Sequence, residues 1–211
     1  MRKIIVGATV SMDGVMQAPM GPAEDPTNGF RFGGWLFPYR SPESREELDG
    51  LFKERFDLLL GRKTYETLAA FWPYQSEDPP FGSIAKRFNE VKKYAVSRSG
   101  DIDTSWQGSV LLRDIADVKR LRQEGGPNLV TQGSAELVHA LLASDRVDAI
   151  SIFTMPVVSR RRQEALRGRI RAALVEADAL ARFLHRHPYR ALSARRRNRD
   201  RRPHARFAQY S

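Results

Sequence analysis

The sequence predicts one α/β domain with a largely parallel central sheet. Short apolar, β-branched runs alternate along the chain with segments whose apolar residues recur at helical spacing. The run "DLLLG" at 57–61 has no polar alternation, as expected for a strand that helices cover on both faces. With 211 residues, 41% of them hydrophobic, the chain is long enough to bury one sizeable core.

The first elements follow from local composition. The β-branched run "KIIVGATV" at 3–10 predicts a strand. A Gly/Pro-rich segment at 16–40 exceeds ordinary loop length, which indicates either function or disorder. Five aromatic residues argue against disorder, because such side chains favour burial; they are Phe30, Phe32, Trp35, Phe37 and Tyr39.

The remaining elements are predicted from periodicity and helix-start signals. Ser41-Pro42 suits a helix start, followed by a helix over 43–56 with Leu48, Leu51, Phe52 and Phe56 on one face. Further helices are predicted at about 64–71, 82–91, 114–124 and 135–143. Further strands are predicted at 57–61, 92–97, 109–112, 128–131 and 147–158.

Composition excludes several classes of function. No apolar run reaches the roughly 18 residues of a membrane span, and the amino-terminal run is interpreted as a strand rather than a signal peptide. The chain has no cysteine, and its four histidines have no metal-ligand spacing, so no metal site is predicted. We therefore expect a cytoplasmic protein.

The positive charge is confined to one end of the chain. Residues 159–211 hold sixteen arginines and four acidic residues, a net charge of +12, so the first 158 residues carry −2 of the total +10. This division predicts a domain over 1–158 and an atypical Arg-rich extension over 159–211. Within the extension, a helix is expected at about 163–184 and disorder beyond Pro188.

Two strand-to-helix junctions, "LLLGRKTYE" and "LVTQGSAELV", share one layout: apolar strand, glycine, small hydroxyl residue, helix. A helix start offers unpaired amide groups and a partial positive charge, both of which favour phosphate. Ser97-Arg98-Ser99, after a third strand, offers a further cation. Each glycine also suits an ordinary turn, and neither the P-loop pattern nor G-x-G-x-x-G is present.

Five segments occur in order across residues 1–158: "IVGATVSMDGVM", "LLLGRKTYE", "YAVSRS", "VTQGSAELV" and "VDAISIFTMPVV". In this order and spacing they resemble the dihydrofolate reductase-like family, and most closely its bacterial branch related to the reductase domain of the riboflavin-biosynthesis deaminase/reductase. The resemblance implies a mostly parallel mixed sheet flanked by helices, NADPH as cofactor and a homodimer. It also implies cofactor contacts at Ala8, Gly61, Arg62, Lys63, Thr64, Ser97, Arg98, Ser99, Gly133, Ser134, Ala135 and Glu136.

Hydride transfer to a pterin-, flavin- or pyrimidine-like ring needs a flat apolar slot and a proton donor. Phe30, Phe32 and Trp35 are candidates for the slot, although they could equally cover the core. Asp13 and Asp49 are candidate catalytic acids, although Asp13-Gly14 also suits a turn. The helix carboxylate of dihydrofolate reductases has no clear match, which argues against folate as the substrate.

The extension departs from the family pattern, which continues after "MPVV" with a Leu-Gly-x-Gly-type turn and further strands. Three interpretations remain open. The extension could bind nucleic acid or another acidic surface through its arginines, although it lacks interleaved aromatic residues. It could be an inert solvated segment. It could also reflect a change of reading frame near Val158, since it is rich in Arg and Ala and contains no lysine. Resequencing the gene would exclude the third interpretation by finding one continuous frame.

Overall fold

A computed structural model describes residues 1–39, 48–76, 78 and 82–158. Six strands form one sheet in the order β4-β3-β2-β5-β1-β6, and every neighbouring pair within the described residues is parallel. The strands are β1 Ile4–Ser11, β2 Phe56–Gly61, β3 Lys93–Val96, β4 Ser109–Leu112, β5 Asn128–Gln132 and β6 Ala149–Met155. The described helices are α1 Arg62–Ala69, α2 Gly82–Glu90, α3 Ile115–Gln123 and α4 Ala135–Ala143. The predicted α/β class is confirmed.

Side chains that alternate along β2 divide the core between the two faces of the sheet. Leu58 and Leu60 pack with Tyr65 of α1 and Phe88 of α2 on one face. Leu59 points to the opposite face, because successive side chains of a strand alternate. All three leucines have no exposed surface. The run "DLLLG" is uniformly apolar because helices cover both of its faces.

The opposite face packs against α3 and α4. Val118 and Leu121 of α3 join Leu137 and Leu141 of α4 over Ile4, Val6, Leu59 and Leu129 of the strands. Helix α3 begins at a side-chain cap, since Asp114 accepts hydrogen bonds from the amide groups of Ala116 and Asp117 at 2.8 and 3.0 Å. The predicted helix at 114–124 is thereby confirmed.

The helix predicted over 43–56 is wrong at its carboxyl end. Gly50–Phe52 forms a 3-10 helix, and Phe56 is already the first residue of β2. Phe52 and Phe56 are nevertheless both buried, with ring centroids 5.0 Å apart, so a shared apolar surface was mistaken for one helical face. The predicted helix start at Ser41-Pro42 and the extension over 159–211 lie outside the described residues.

Part of the Gly/Pro-rich segment packs against the end of β6, whereas Phe32 and Phe37 are exposed. Phe30, Trp35 and Leu36 are buried in a third cluster with Val15 and Met155. The Trp35 indole N–H donates to the Gln17 carbonyl at 2.8 Å. None of the described helices has the length and hydropathy that crossing a bilayer requires.

Candidate functional site

The two glycine junctions meet at the carboxyl edge of the sheet. Strands β2 and β5 are parallel neighbours, so the segments that follow them lie side by side. The Gly61 amide donates to the Ser134 hydroxyl at 3.0 Å and joins the two junctions directly. From β2 the chain continues to β3 and β4 on one side, whereas from β5 it continues to β6 on the other. Such a switch point is where open α/β sheets bind ligands.

The two helices that follow the glycine junctions lack a side-chain cap from their own N-cap residue. Gly61 precedes α1 and has no side chain to offer. Ser134 precedes α4, but its hydroxyl is engaged with Gly61 rather than with the first turn of α4. Helix α3, in contrast, is capped by Asp114. The first amide groups of α1 and α4 therefore suit an anion.

The backbone conformation at the second junction would let an anion approach the amide groups closely. Gly133 and Ser134 both have positive φ, 70° and 57°, immediately before the helical residues Ala135 and Glu136. A left-handed residue followed by a right-handed one turns successive N–H groups toward one point, which forms an anion-binding nest. The Gly133 amide donates to the Gly7 carbonyl at 3.1 Å, so this junction lies beside Ala8 of β1.

Thr64 and Glu136, two further residues that were predicted to contact the cofactor, lie at the same edge of the sheet. A Cβ at Gly133 would lie 3.8 Å from the Thr64 hydroxyl, so Thr64 faces the second junction across the edge. The side chain of Glu136 is exposed, which leaves the amides of Ala135 and Glu136 as the groups that the first turn of α4 offers an anion.

Arg62 links the first junction to the third predicted segment. Its Nη1 donates to the Ser99 hydroxyl at 2.9 Å, and its Nε donates to Glu66 Oε1 at 2.7 Å. The hydrogen bond with Glu66 raises the pKa of Arg62 above its ordinary value. The Ser97 and Ser99 hydroxyls lie 3.1 Å apart. Arg98, between them, is exposed and directs no hydrogen bond or ion pair to any described residue.

Lys63 contacts the long segment that follows β1. Its Nζ lies 3.4 Å from the Thr27 hydroxyl. A hydrogen bond with Thr27 is the main cause that lowers the pKa of Asp25, and the charge of Lys63 lowers it further. The segment around Thr27 therefore lies close to the start of α1.

The predicted substrate residues occupy two environments. Phe30 and Trp35 are 6% and 7% exposed, so they belong to the packed cluster beside β6. Phe32 is 43% exposed and meets Phe30 edge to face, with ring centroids 5.8 Å apart. Of the three rings, Phe32 is the one whose surface a ligand could reach without displacing this cluster.

The two predicted catalytic acids lie on different elements. Asp13 follows β1 in a turn closed by the Gly14 amide on the Ser11 carbonyl at 2.9 Å, and the Ser11 hydroxyl donates to its carboxylate. Asp49 directly precedes the 3-10 helix Gly50–Phe52, in which Leu51 packs against Gly7 of β1. Asp13 thus belongs to the carboxyl edge, whereas Asp49 precedes a 3-10 helix whose Leu51 lies over the middle of β1.

A cavity of about 610 Å³ opens at the opposite end of the sheet. It is lined by the starts of four strands, through Lys3, Phe56, Asn128 and Ala149, and by Leu51. None of the predicted cofactor residues lines it. The cavity is therefore separate from the glycine junctions.

Sequence reasoning missed Arg113, which lies at the same edge as the predicted cations. Its Nη1 donates to the Ser99 carbonyl at 3.4 Å. The signal was available, because Arg113 directly follows β4 just as Arg62 follows β2.

Comparison with known protein families supports the resemblance drawn from the motifs. The family model described as the RibD C-terminal domain matches residues 2–159, about three quarters of the chain. The chain belongs to this family. The RibD C-terminal domain family is reductase-like and connected with riboflavin biosynthesis. The match spans both glycine junctions, Ser97–Ser99 and Arg113. No curated protein matches the sequence.

Proposed function

We propose that this RibD C-terminal domain protein is an NADPH-dependent reductase that transfers a hydride to a small pterin-, flavin- or pyrimidine-like heterocycle. One observation carries the proposal. Two uncapped helix starts meet at the hydrogen bond between Gly61 and Ser134, at the switch point of the sheet. A dinucleotide brings a diphosphate, and two adjacent sets of free amide groups are complementary to it.

Each junction has a defined part in binding. The amides at the start of α1 and the Lys63 ammonium bind one phosphate group, while the amides of Ser134, Ala135 and Glu136 bind the other. Arg62, Arg98, Ser97 and Ser99 hold the adenosine end. The cofactor, once bound, supplies the hydride from its nicotinamide ring. Ala8, beside the Gly133 junction, forms the floor under that ring.

The acceptor ring is proposed to bind beyond β1 and β6, against Phe32. Phe30 and Trp35 support Phe32 from the buried cluster and keep the wall of the slot rigid. Asp13 is the nearer of the two candidate acids to the carboxyl edge, and Asp49 lies on the face covered by Leu51. Either carboxyl group would donate the proton that accompanies hydride addition.

A binding titration tests the cofactor. NADPH and NADH are added separately to the intact chain, and the fluorescence of its three tryptophans is followed. We expect saturable binding of both with a preference for NADPH, and oxidation of bound NADPH when the correct heterocycle is supplied from a panel. Absence of saturable binding by either nucleotide would contradict the proposal.

We also propose that the chain works as a cytoplasmic homodimer, as members of this branch pair through their sheets. Size-exclusion chromatography with light scattering measures the mass directly. A mass of twice the chain, unchanged on dilution, is expected. A monomer mass over the same concentrations would exclude the dimer.

A further inference from the structure

The cavity at the amino end of the sheet has a floor made by three neighbouring strands. Strands β5, β1 and β6 are adjacent and parallel, and residues two apart along a strand point to the same face. Ile5 of β1 is only half-buried, although β1 is an inner strand of the sheet. This part of the sheet face is therefore accessible. The floor is formed by Lys3, Ile5, Asn128, Val130, Ala149 and Ser151.

Leu51 closes the cavity on the side that faces the carboxyl edge. A Cβ at Gly7 would overlap the Leu51 side chain, so the leucine lies directly on β1 at that point. The side chain of Leu51 thus separates the cavity from the glycine junctions. The volume of about 610 Å³ is typical of small-molecule sites, which occupy roughly 300–1,000 Å³.

Three cations surround this apolar floor. Lys3, Lys53 and Arg55 line the cavity, and all three are exposed. Their side chains direct no hydrogen bond or ion pair to any residue that the structure describes. In contrast to Arg2 and Lys93, these cations are available to an anion that enters the cavity.

Two acidic residues also line the cavity, and each has a partner. Both carboxylate oxygens of Asp148 accept from Arg122, at 2.8 and 2.9 Å, so this charge is neutralised. Glu54 accepts from the Asn128 side-chain amide at 2.8 Å. Because that amide is neutral, the negative charge of Glu54 still counts at the rim.

Two further acidic residues are close in sequence but do not change the charge of the cavity. Asp57 is buried in an ion pair with Arg2. Asp49 does not line the cavity. The three cations less the charge of Glu54 therefore leave a net charge of +2 at the rim.

We propose that this cavity binds an organic anion with an apolar body, such as a medium-chain carboxylate, independently of the cofactor site. The aliphatic floor accepts the apolar body, and the rim cations bind the charged head. Like charge argues against the Arg-rich extension as the occupant, since residues 159–211 carry +12. The same repulsion argues against a second copy of this chain that presents the same rim.

The experiment uses decanoate as the probe and the intact chain as the receptor. Isothermal calorimetry compares decanoate, below its micelle concentration, with butyrate and with decylammonium. We expect saturable binding of decanoate and at least about tenfold weaker binding of butyrate, because most of the apolar body is missing. Decylammonium should not saturate, since its head has the same sign of charge as the rim.

Two variants locate the binding. The double variant Lys53→Gln, Arg55→Gln should weaken decanoate binding about tenfold, because charge-assisted contacts are lost. Gly50→Trp should abolish it, since Gly50 lines the cavity and a Cβ there meets only open space. Lys119→Gln is the matched control, because it removes one exposed cation from α3, on the other face of the sheet. That variant should bind decanoate like the wild type.

Circular dichroism melts confirm that each variant is folded. No saturable decanoate binding by the wild type would overturn the proposal. Full affinity in both cavity variants, or competition between decanoate and NADPH, would overturn it as well by placing the anion elsewhere. The proposed reductase activity does not depend on any of these outcomes.

Discussion

Several charged side chains are buried and paired at one end of the sheet, whereas the arginines at the other end are exposed. At the amino end, Arg2 and Asp57 form an ion pair in which both side chains are buried. Arg2 also donates to the Pro127 carbonyl at 2.6 Å and to the Tyr94 hydroxyl at 3.2 Å. At the carboxyl end, Arg62 and Arg98 are exposed. Protein groups satisfy the first set of charges, whereas the second set remains accessible to a ligand.

Lys93, the first residue of β3, extends the pattern at the amino end. Its side chain has no exposed surface, and its Nζ donates to the Asn89 and Gln107 carbonyls at 2.7 and 2.8 Å. The ammonium also lies 4.6 Å from the centre of the Trp106 ring. Burial lowers the pKa of Lys93 to about 8. These contacts are structural, because they leave Lys93 no surface to present to a ligand.

The difference teaches that basic residues near strand ends have to be sorted by their contacts. A buried cation with protein partners stabilises the fold, and its removal leaves unpaired charge. An exposed cation beside uncapped amide groups contributes little to stability but adds to an anion site. Variants at the two ends should therefore separate stability from nucleotide affinity.

The largest effect is expected for Asp57→Asn, which leaves Arg2 buried without a counter-charge. The free energy of unfolding should fall by about 3–5 kcal/mol, as for other broken buried ion pairs. Urea denaturation measures it. NADPH affinity of the folded fraction should stay unchanged, because the pair is at the opposite end of the sheet from the glycine junctions.

Arg120→Gln serves as its control, because it removes an ion pair whose arginine is 71% exposed. That variant should stay within about 1 kcal/mol of the wild type. A loss below about 1 kcal/mol in Asp57→Asn would mean that the buried pair is not a main determinant of stability.

A smaller effect, on nucleotide affinity rather than on stability, is expected for Arg62→Ala. The dissociation constant for NADPH should rise about 10- to 100-fold, because a charge-assisted phosphate contact contributes about 1.5–3 kcal/mol. The free energy of unfolding should change by no more than about 0.5 kcal/mol, the contribution of its exposed pair with Glu66. Fluorescence titration and urea denaturation of the same preparation measure both.

Arg120→Ala tests whether any exposed arginine would give the same loss of affinity. A comparable loss in that variant would attribute the effect to net charge. A fall in stability of Arg62→Ala that matches its fall in affinity would remove the distinction between the two ends.

The smallest effect is a pH dependence that Lys93 confers. The folded-state pKa is about 8 and the ordinary value is 10.5, so between these values the unfolded chain binds more protons than the folded one. Stability should therefore rise with pH across this window, by at most about 1.4 kcal/mol per pH unit. The charge of Asp57 favours the protonated form of Lys93 and offsets part of the lowering caused by burial.

Urea denaturation at pH 7.5, 8.5 and 9.5 in wild type and Lys93→Met measures this contribution. Lys93→Met should lack the rise. This range also avoids Tyr65, whose pKa is raised by burial above its ordinary value of 10.0. Parallel pH profiles of the two proteins would show that Lys93 does not titrate in this window.

Much of the fold could be predicted because its signals are local. The strands and helices from β2 to β6 follow from apolar periodicity, and α3 follows from its capping residue Asp114. Phe56 was assigned to the wrong element because buried strand and helix residues are equally apolar. Phe56 belongs to β2 because it pairs in parallel register with Asn128 of β5, and no local pattern specifies that pairing.

The sequence by itself determined the glycine junctions, the alternation of strands and helices, and the family resemblance. These properties depend on neighbouring residues and on their order. Tertiary structure decided that Gly61 bonds to Ser134, that Phe30 and Trp35 are buried while Phe32 is exposed, and that Arg113 reaches Ser99. Strand order and side-chain packing decide such contacts, because they bring together residues that are far apart in the chain and whose partners no local pattern specifies.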